Sequence, residues 1–311
     1  MESTPIILDC DPGHDDAVAI LLAVASPKIE LLAVTTVFGN CSVEDATRNA
    51  QRILTLAGAL SIPVAQGASR ALLGDETLGN YVHGKSGLDG SDLPEPGQRL
   101  SSLNAVDLMV SILERTNELV TIVATGPITN VATLLRDHPD VKEKIREIIF
   151  MGGSTERGNH TPSAEFNTFA DPEALEIVLK SGLRIRMVGL NLTHQALATE
   201  AVVSRMIAMR TKVGKACAEW MGFFGSSYRA VWSFESPPVH DPCTVAVLID
   251  ETLITWKDSY VAVELVGKYS RGATIVDLDS RYSLTPNCQV AMHLETQNFW
   301  DLVITEVGRL N

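Results

Sequence analysis

The stretch PIILDCDPGHDDAVAILLAV, residues 5–24, decides the fold class of this chain. A short apolar run leads into an acidic turn, and apolar residues then recur at Ala17, Ile20, Leu21 and Val24, the spacing of one helix face. Strand, turn and helix in this order form the repeating unit of α/β folds. The acidic turn falls at the carboxyl end of the predicted strand, where such folds bind their ligands.

The same alternation of strand-like and helical patterns continues along the chain. Strands are predicted at residues 29–37, 63–65, 119–124, 148–151 and 185–188, with β-rich segments at 260–266, 273–278 and 289–294. Helices are predicted at residues 42–58, 105–115 and 172–181, from Pro127 onward, over 199–228, near 241 and at the C-terminal end. Parallel strands need crossover connections that cover both sheet faces. We therefore predict an α/β fold with a mostly parallel central sheet, helices on both faces and a Rossmann-like core.

Length and composition predict one domain over residues 1–311. Alpha/beta architectures often reach this size around a single core, and 45% hydrophobic with 20% charged residues is ordinary globular composition. Residues 67–101 are rich in Gly, Pro, Asp and Ser and lack sustained periodicity. A segment of that length indicates a functional loop, and we predict a lid there.

The net charge of −13 and the pI near 5.0 oppose binding to phosphate backbones and anionic lipid. We expect no nucleic-acid and no membrane partner, and a small molecule or a metal ion instead. The longest apolar run, residues 17–25, is shorter than the ~20 residues of a membrane span. Five scattered cysteines without a CxxC pair, and an N-terminus without a basic region, predict a cytoplasmic protein.

Four aspartates, Asp9, Asp11, Asp15 and Asp16, lie within eight positions around the first strand end. Carboxylates packed so closely repel one another unless a cation or hydrogen-bond donors compensate. Ca²⁺ and Mg²⁺ both take oxygen ligands and would solve this problem. The alternative is that some of these residues cap the following helix, because acidic side chains are favourable at a helix N-terminus.

Other polar clusters fall at further predicted strand ends, at residues 38–40, 125–127 and 151–153, which together predict one composite site. Far along the chain, His240 and Asp241 add a proton-transfer group and another carboxylate, although this segment could also be a plain helix entry. The loop of residues 152–169 carries groups that suit a polyol, and a solvated loop is the alternative.

The motif DCDPGHDDA, residues 9–17, resembles the N-terminal signature of the inosine-uridine-preferring nucleoside hydrolases. Further motifs appear in family order: TVFGN at 36–40, HGKSG at 83–87, TGPITN at 125–130, MGG at 151–153, PSAEFN at 162–167, ADPE at 170–173 and HDP at 240–242. The resemblance implies the nucleoside hydrolase fold, a small-molecule ribonucleoside as substrate, and a role in nucleoside salvage within purine and pyrimidine metabolism. It also implies a homo-oligomer, a tetramer or a dimer, with one Ca²⁺ in each subunit.

The resemblance also assigns roles to residues of this chain. The implied ligands of Ca²⁺ are the carboxylates of Asp11, Asp16 and Asp241 and the backbone carbonyl of Thr125. The implied contacts to ribose are Asp15, Asn40 and Asn167 at the secondary hydroxyls, Asn159 and Glu165 at the 5′-hydroxyl, and Met151 beneath the sugar. Tyr228 and Trp232 would line the base pocket, with the alternative that both are core residues.

The implied reaction is hydrolysis of the N-glycosidic bond to ribose and free base. Ca²⁺ would orient a water whose proton Asp11 accepts, while the acidic floor stabilises the oxocarbenium-like sugar. His240 would protonate the leaving base, with His83 as the second histidine of a branch that takes pyrimidine nucleosides or both classes. His14 departs from the family pattern and is interpreted as peripheral.

Three rival functions remain open at this point. A metal-dependent phosphohydrolase would also use an acidic strand end, but the chain has no GxxxxGK[ST] loop and no obvious cationic cluster for a phosphate. A nucleoside phosphorylase would use phosphate as the nucleophile. A nucleoside-binding protein without catalysis would keep the ribose contacts alone.

Overall fold

The computed structural model describes residues 3–74 and 77–311, and within them nine strands form one sheet in the order β3-β2-β1-β4-β5-β6-β9-β7-β8. The strands are β1 (Thr4–Cys10), β2 (Ile29–Thr36), β3 (Val64–Gln66), β4 (Val120–Ala124), β5 (Ile145–Met151), β6 (Ile185–Val188), β7 (Ile254–Val263), β8 (Thr274–Asp277) and β9 (Cys288–Leu294). The first six strands and β9 run parallel, and β7 pairs antiparallel with β9 and β8. The predicted mostly parallel α/β sheet is confirmed.

Twelve α-helices are described in the same residues. They are α1 (His14–Ala25), α2 (Val43–Leu56), α3 (Asn80–His83), α4 (Ala105–Arg115), α5 (Thr129–Asp137), α6 (Phe166–Ala170), α7 (Pro172–Leu179), α8 (Leu190–Thr193), α9 (Glu200–Ala208), α10 (Lys212–Trp232), α11 (Pro242–Ile249) and α12 (Thr296–Val307). Short 3₁₀ helices lie at Pro139–Lys144 and Glu251–Leu253. None of the described helices is long and apolar enough to cross a membrane.

The two faces of the sheet are buried in two separate cores. Alternate residues of β1 divide between them, with Ile6 and Leu8 in the larger core and Ile7 in the other. The larger core packs α1, α2 and α9 to α12 against one face, and the second packs α4, α5 and α7 against the other. Continuous burial along β1 and β4 follows, as expected for strands covered on both faces.

Several element boundaries differ from those predicted. The helix expected from Pro127 begins at Thr129, because Gly126 and Pro127 stay in the loop that packs against Asp11. The β-rich segment expected at 260–266 belongs to a strand that begins earlier, at Ile254, ends at Val263 and runs antiparallel to its neighbours. Polar residues on the exposed side of this strand hide its start in the sequence. The strand lies next to β8, the edge strand of the sheet.

The segment predicted as a lid is fastened to α2. The Asn49 amide donates to the Ser86 carbonyl at 2.7 Å, the Arg52 guanidinium to the Leu93 carbonyl at 2.7 Å, and the Gln51 amide to a further carbonyl of the segment at 3.0 Å. Helix α3 lies within this segment, and residues 75 and 76 lie outside the described part of the chain. Movement of this segment as a lid stays a prediction.

Candidate active site

The polar clusters predicted at strand ends lie side by side. Strands β2, β1, β4 and β5 are adjacent and parallel, so the loops that follow them meet at one edge of the sheet. A cavity of about 470 Å³, including its open mouth, lies at this edge. Its walls include all eight residues predicted to contact substrate, which are Asp15, Asn40, Met151, Asn159, Glu165, Asn167, Tyr228 and Trp232.

The floor of the cavity holds a tight group of carboxylates. Asp15, Asp16 and Asp241 each place an oxygen within 4.8 Å of the other two, and all three are buried. Helix α1 supplies the first two from its first turn, and Asp241 precedes α11. The Asp16 carboxylate accepts hydrogen bonds from the Thr125 hydroxyl at 2.7 Å and from the Asn40 amide at 3.1 Å.

Asp11 lies beside this group but is not one of its three members. Its Oδ2 accepts the Asn40 backbone N–H at 2.7 Å, and its Oδ1 is buried without a partner among the described atoms. Glycines make this position possible, because a Cβ at Gly39 or Gly126 would lie 2.0 Å or 2.6 Å from an Asp11 carboxylate oxygen. One acidic oxygen therefore stays available in a position that two loops fix.

Burial makes the ionised form of these carboxylates unfavourable. It raises the pKa of Asp11 and of Asp241 well above the usual range, and the neighbouring carboxylates raise both further. Burial and then Asp16 raise the pKa of Asp15 to about 7. Among the described residues, no lysine or arginine lines the cavity. These crowded carboxylate oxygens receive hydrogen bonds but face no lysine or arginine in the described cavity walls, and such a donor set fits a hard divalent cation.

The carbonyl of Thr125, expected as a metal ligand, accepts a hydrogen bond from the Asn167 amide at 2.7 Å. The same amide donates to the Met151 carbonyl at 3.1 Å. Asn167 thus joins the ends of β4 and β5. A carbonyl oxygen has two lone pairs, so this contact leaves Thr125 one acceptor site.

Glu165 anchors the loop that carries the predicted 5′-hydroxyl contacts. Its buried carboxylate accepts the backbone N–H groups of Gly153, Asn167 and Thr168 at 2.9 to 3.0 Å, and burial raises its pKa. The Asn159 side-chain oxygen accepts the N–H of the residue that follows Glu165, at 2.9 Å. Both side chains line the cavity while holding this loop in place.

His240 lies in a chain of hydrogen bonds on the other wall. Its Nδ1 contacts the Thr193 hydroxyl and its Nε2 contacts the Tyr228 hydroxyl, both at 2.7 Å. Burial lowers the pKa of His240 to about 3, so the ring is neutral at physiological pH. Tyr228 packs on Trp232 with ring centroids 4.5 Å apart, which places both aromatic rings at the cavity as predicted.

His83, the second predicted histidine, ends helix α3 and lines the cavity. Burial lowers its pKa well below the usual value. His14, interpreted from the sequence as peripheral, is fully buried and contacts the His83 ring through its own Nδ1 at 3.1 Å. It is therefore one layer behind the cavity wall.

Sequence comparison identifies the family. A family described as inosine-uridine preferring nucleoside hydrolase matches residues 6–301. The chain belongs to this family. It is 47% identical over 308 residues to a pyrimidine-specific ribonucleoside hydrolase, RihA, of Enterobacter sp. (strain 638), covering 99% of this chain and 98% of the relative. It is 45% identical over 300 residues to the RihA of Salmonella typhimurium, covering 96% of each chain.

Solved structures of nucleoside hydrolases have the same fold. The purine-preferring ribonucleoside hydrolase from Gardnerella vaginalis is 32% identical, with a TM-score of 0.91 and 98% of each chain covered. A plant nucleoside hydrolase is 30% identical, also with a TM-score of 0.91, over 98% of this chain and 99% of its own. The predicted fold and the predicted class of enzyme, a hydrolase of the N-glycosidic bond of ribonucleosides, are confirmed.

Some residues around the nucleoside hydrolase cavity were not predicted from the sequence. Tyr81 and Phe166 line it, and Thr193 lies behind His240. Tyr81 lies just before the HGKSG motif and Phe166 lies within PSAEFN, so nearness to a motif is the sequence signal for both residues. Thr193 has no such signal, because only the fold brings α8 next to the loop before α11.

Proposed function

We propose that this nucleoside hydrolase cleaves pyrimidine ribonucleosides, with Ca²⁺ held at the carboxylate floor. The observation that carries the proposal is the meeting, in one cavity, of buried carboxylates on one side and the Tyr228–His240 pair on the other. The base preference is supported by the relatives named pyrimidine-specific at 45–47% identity, which are more similar than the purine-preferring structure at 32%.

The residues that would hold the cation are Asp11, Asp16 and Asp241, with the second lone pair of the Thr125 carbonyl. The unpartnered Oδ1 of Asp11 and the clustered oxygens of the other two support this set. Asp15 also belongs to the cluster, and its Oδ2 accepts the His240 backbone N–H at 3.0 Å. A bound divalent cation supplies orientation and increased acidity to a water molecule.

The carboxylates also act on the sugar directly. Departure of the base leaves positive charge on the ribose ring, and anionic oxygens in a water-poor site stabilise this charge more than the neutral substrate. Asp11 would accept the proton of the attacking water. Asn40 holds one oxygen of Asp11 and so fixes the direction of the other.

The leaving base meets a hydrogen-bonded chain on the opposite wall. Thr193, His240 and Tyr228 form a continuous path of groups that both donate and accept protons. Because its pKa is low, the His240 ring stays neutral and belongs to this path without becoming a buried cation. The chain offers a hydrogen bond or a proton to the departing base, while Trp232 and Tyr228 cover its faces.

Ribose recognition follows from the remaining walls. Asp15, Asn40 and Asn167 bind the secondary hydroxyls in our proposal, Asn159 and Glu165 bind the 5′-hydroxyl, and Met151 lies beneath the ring. Each of these side chains lines the cavity and is held by contacts to backbone or to its neighbours. We also propose, from the family resemblance, that the protein is cytoplasmic and forms a homo-oligomer, a tetramer or a dimer. Light scattering coupled to gel filtration tests the oligomeric state.

The test is an assay of free ribose from uridine, cytidine, inosine and adenosine in phosphate-free buffer. We expect ribose release from the two pyrimidine nucleosides, loss of activity with a chelator, and better recovery with Ca²⁺ than with Mg²⁺. The variant Asp11→Asn should lose activity, while Asp277→Asn, which replaces a buried carboxylate at the end of β8, serves as the control. A preference for inosine would reject the base assignment, and full activity in chelator would reject the metal.

Phosphate-dependent turnover would instead favour a phosphorylase. Release of phosphate from simple esters without any ribose would favour a phosphohydrolase, although the absence of basic residues among the described cavity walls disfavours it. Binding of nucleoside without turnover would favour a non-catalytic binding protein.

A further inference from the structure

His14 is a buried imidazole to which the proposed reaction gives no role. It is 0% exposed at the first position of α1, and it stacks between the His83 ring, 5.2 Å away, and the Phe223 ring, 5.1 Å away. Buried polar rings usually have hydrogen-bond partners for both nitrogens. Each nitrogen of His14 has a partner, which is a backbone carbonyl oxygen at Nε2 and a second histidine ring at Nδ1.

The Nε2 atom of His14 contacts the backbone carbonyl oxygen of Asp89 at 2.8 Å. A carbonyl oxygen only accepts, so this nitrogen carries a hydrogen. Burial in an apolar environment favours the neutral ring, which has one N–H. The Nδ1 atom of His14 then carries a lone pair and no hydrogen.

That lone pair faces His83. The two Nδ1 atoms are 3.1 Å apart, and two lone pairs at this distance would repel. A hydrogen on His83 Nδ1 converts the contact into a hydrogen bond to His14. The competing donor is the His14 backbone N–H, which lies 3.2 Å from the same His83 atom and points toward it. Its use would leave the two ring lone pairs facing each other, whereas a hydrogen on His83 Nδ1 leaves this N–H without that acceptor.

The backbone around His83 is also held by contacts of the Asp89 side chain, which do not involve the His14 ring. The Asp89 carboxylate accepts the N–H groups of Lys85 at 2.9 Å and Ser86 at 3.3 Å. Gly84 has φ +84°, and a Cβ there would lie 2.2 Å from an Asp89 carboxylate oxygen. The contact between the two histidine rings therefore sets the orientation of the His83 ring rather than the course of its chain.

We infer that His14 is a positioning residue for His83: it accepts the His83 Nδ1–H, and so leaves the His83 Nε2 as a hydrogen-bond acceptor for the leaving base. Gly13 makes room for this arrangement, since a Cβ there would lie 2.5 Å from His83 Nδ1. The inference deepens the proposed function and rests on it only for the contact between His83 and the base. The resting His83 then receives a hydrogen bond, and proton donation falls to the Tyr228–His240 pair.

Solid-state NMR of histidine-labelled, Ca²⁺-loaded protein tests the tautomers without any activity measurement. Protonated and unprotonated ring nitrogens have distinct ¹⁵N shifts, and the signals of His83 are those that disappear in His83→Gln. We expect hydrogen on Nδ1 of His83 and on Nε2 of His14. A His83 protonated at Nε2 would overturn the inference, and either result leaves the question of nucleoside hydrolysis untouched.

A matched pair of variants tests the functional consequence. His14→Asn keeps an acceptor near the position of Nδ1, whereas His14→Gln keeps a donor toward the Asp89 carbonyl and no acceptor for His83. We expect His14→Gln to lower kcat/KM for uridine about tenfold, the effect of one lost hydrogen bond, and His14→Asn to retain more of it. In a His83→Ala background, His14→Gln should have no further effect. An equal loss in that background would mean a merely structural role and would overturn the inference.

Discussion

Asp241→Asn should change the thermal stability of the protein in opposite directions with and without calcium. Asp241 is the residue to replace because it precedes α11 without making a side-chain capping bond, so an asparagine of the same size costs the helix no cap. Its carboxyl group is buried, and burial followed by Asp15, Asp16 and Asp11 raises its pKa.

The magnitude follows from the spacing of the carboxylates. Two unit charges 4.8 Å apart repel by on the order of 3 kcal/mol at an effective dielectric constant of about 20. Partial protonation relieves part of this repulsion, so removing the Asp241 charge should stabilise the chelated protein by about 1 to 3 kcal/mol. For 311 residues this corresponds to a rise in Tm of roughly 2 to 5 °C.

Calcium should reverse the order. A ligand present at about 100 times its Kd stabilises the folded state by about 2.7 kcal/mol, and Asp241→Asn weakens the binding that provides this gain. Differential scanning fluorimetry at pH 8, with chelator and with a Ca²⁺ titration, measures both states. Asp277→Asn, which removes a buried carboxylate at the end of β8, should shift Tm equally in both states.

Two results would refute the reasoning. If Asp241→Asn melted below the parent protein in chelator, the carboxylates would not be a repulsive cluster. If Ca²⁺ raised the Tm of the variant and the parent by the same amount, Asp241 would not be a ligand.

Three further predictions concern the rest of the molecule. Gly126→Ala places a Cβ only 2.6 Å from the Asp11 Oδ1 atom, so kcat for uridine should fall at least tenfold; unchanged steady-state kinetics would contradict this close packing. Tyr228→Phe removes the partner of His240 Nε2 at 2.7 Å and should lower kcat by about ten- to a hundredfold, while the Ca²⁺ affinity measured by calorimetry stays the same. Burial lowers the pKa of His194 to about 4, so the unfolded chain binds a proton below pH 6.5 that the folded protein does not. Stability should fall by about 2 kcal/mol at this residue between pH 7.5 and pH 5, and urea titrations of His194→Gln should lack that loss, whereas replacement of the exposed His293 should not remove it.

The sequence predicts most of the fold because local pattern and tertiary packing agree. Strand Ile185–Val188 and helix Ala105–Arg115 have the predicted bounds, since a glycine turn at Gly182 precedes the strand and Asn104 caps the helix. The helix after Pro127 begins two residues later than expected. Proline is favourable at a helix start, but here Pro127 stays in the preceding loop, which packs close to Gly39 and, at Gly126, close to Asp11. Both of these residues lie far earlier in the chain.

The candidate site, like the fold, is predicted from the sequence only in part. Residue types at strand ends predict which side chains line the cavity, because the parallel sheet brings those ends together. They do not predict distances of a few ångströms, and so Asp15 rather than Asp11 completes the tight carboxylate group. His14 has the same limitation, since its role depends on a ring contact with a residue 69 positions later.

Burial raises the pKa of carboxyl groups on one wall of the cavity and lowers the pKa of the histidine on the other wall. This difference connects the fold to the chemistry. It raises the pKa of Asp15 to about 7 and lowers that of His240 to about 3, so each group alone tends toward its neutral form. A neutral floor would not stabilise positive charge on ribose, whereas a neutral His240 between two hydroxyl groups could still pass a proton in the proposed reaction. The acidic wall therefore needs a cation to keep its charge, and the histidine wall needs none. It follows that removal of calcium should abolish the rate while leaving the Thr193–His240–Tyr228 chain intact.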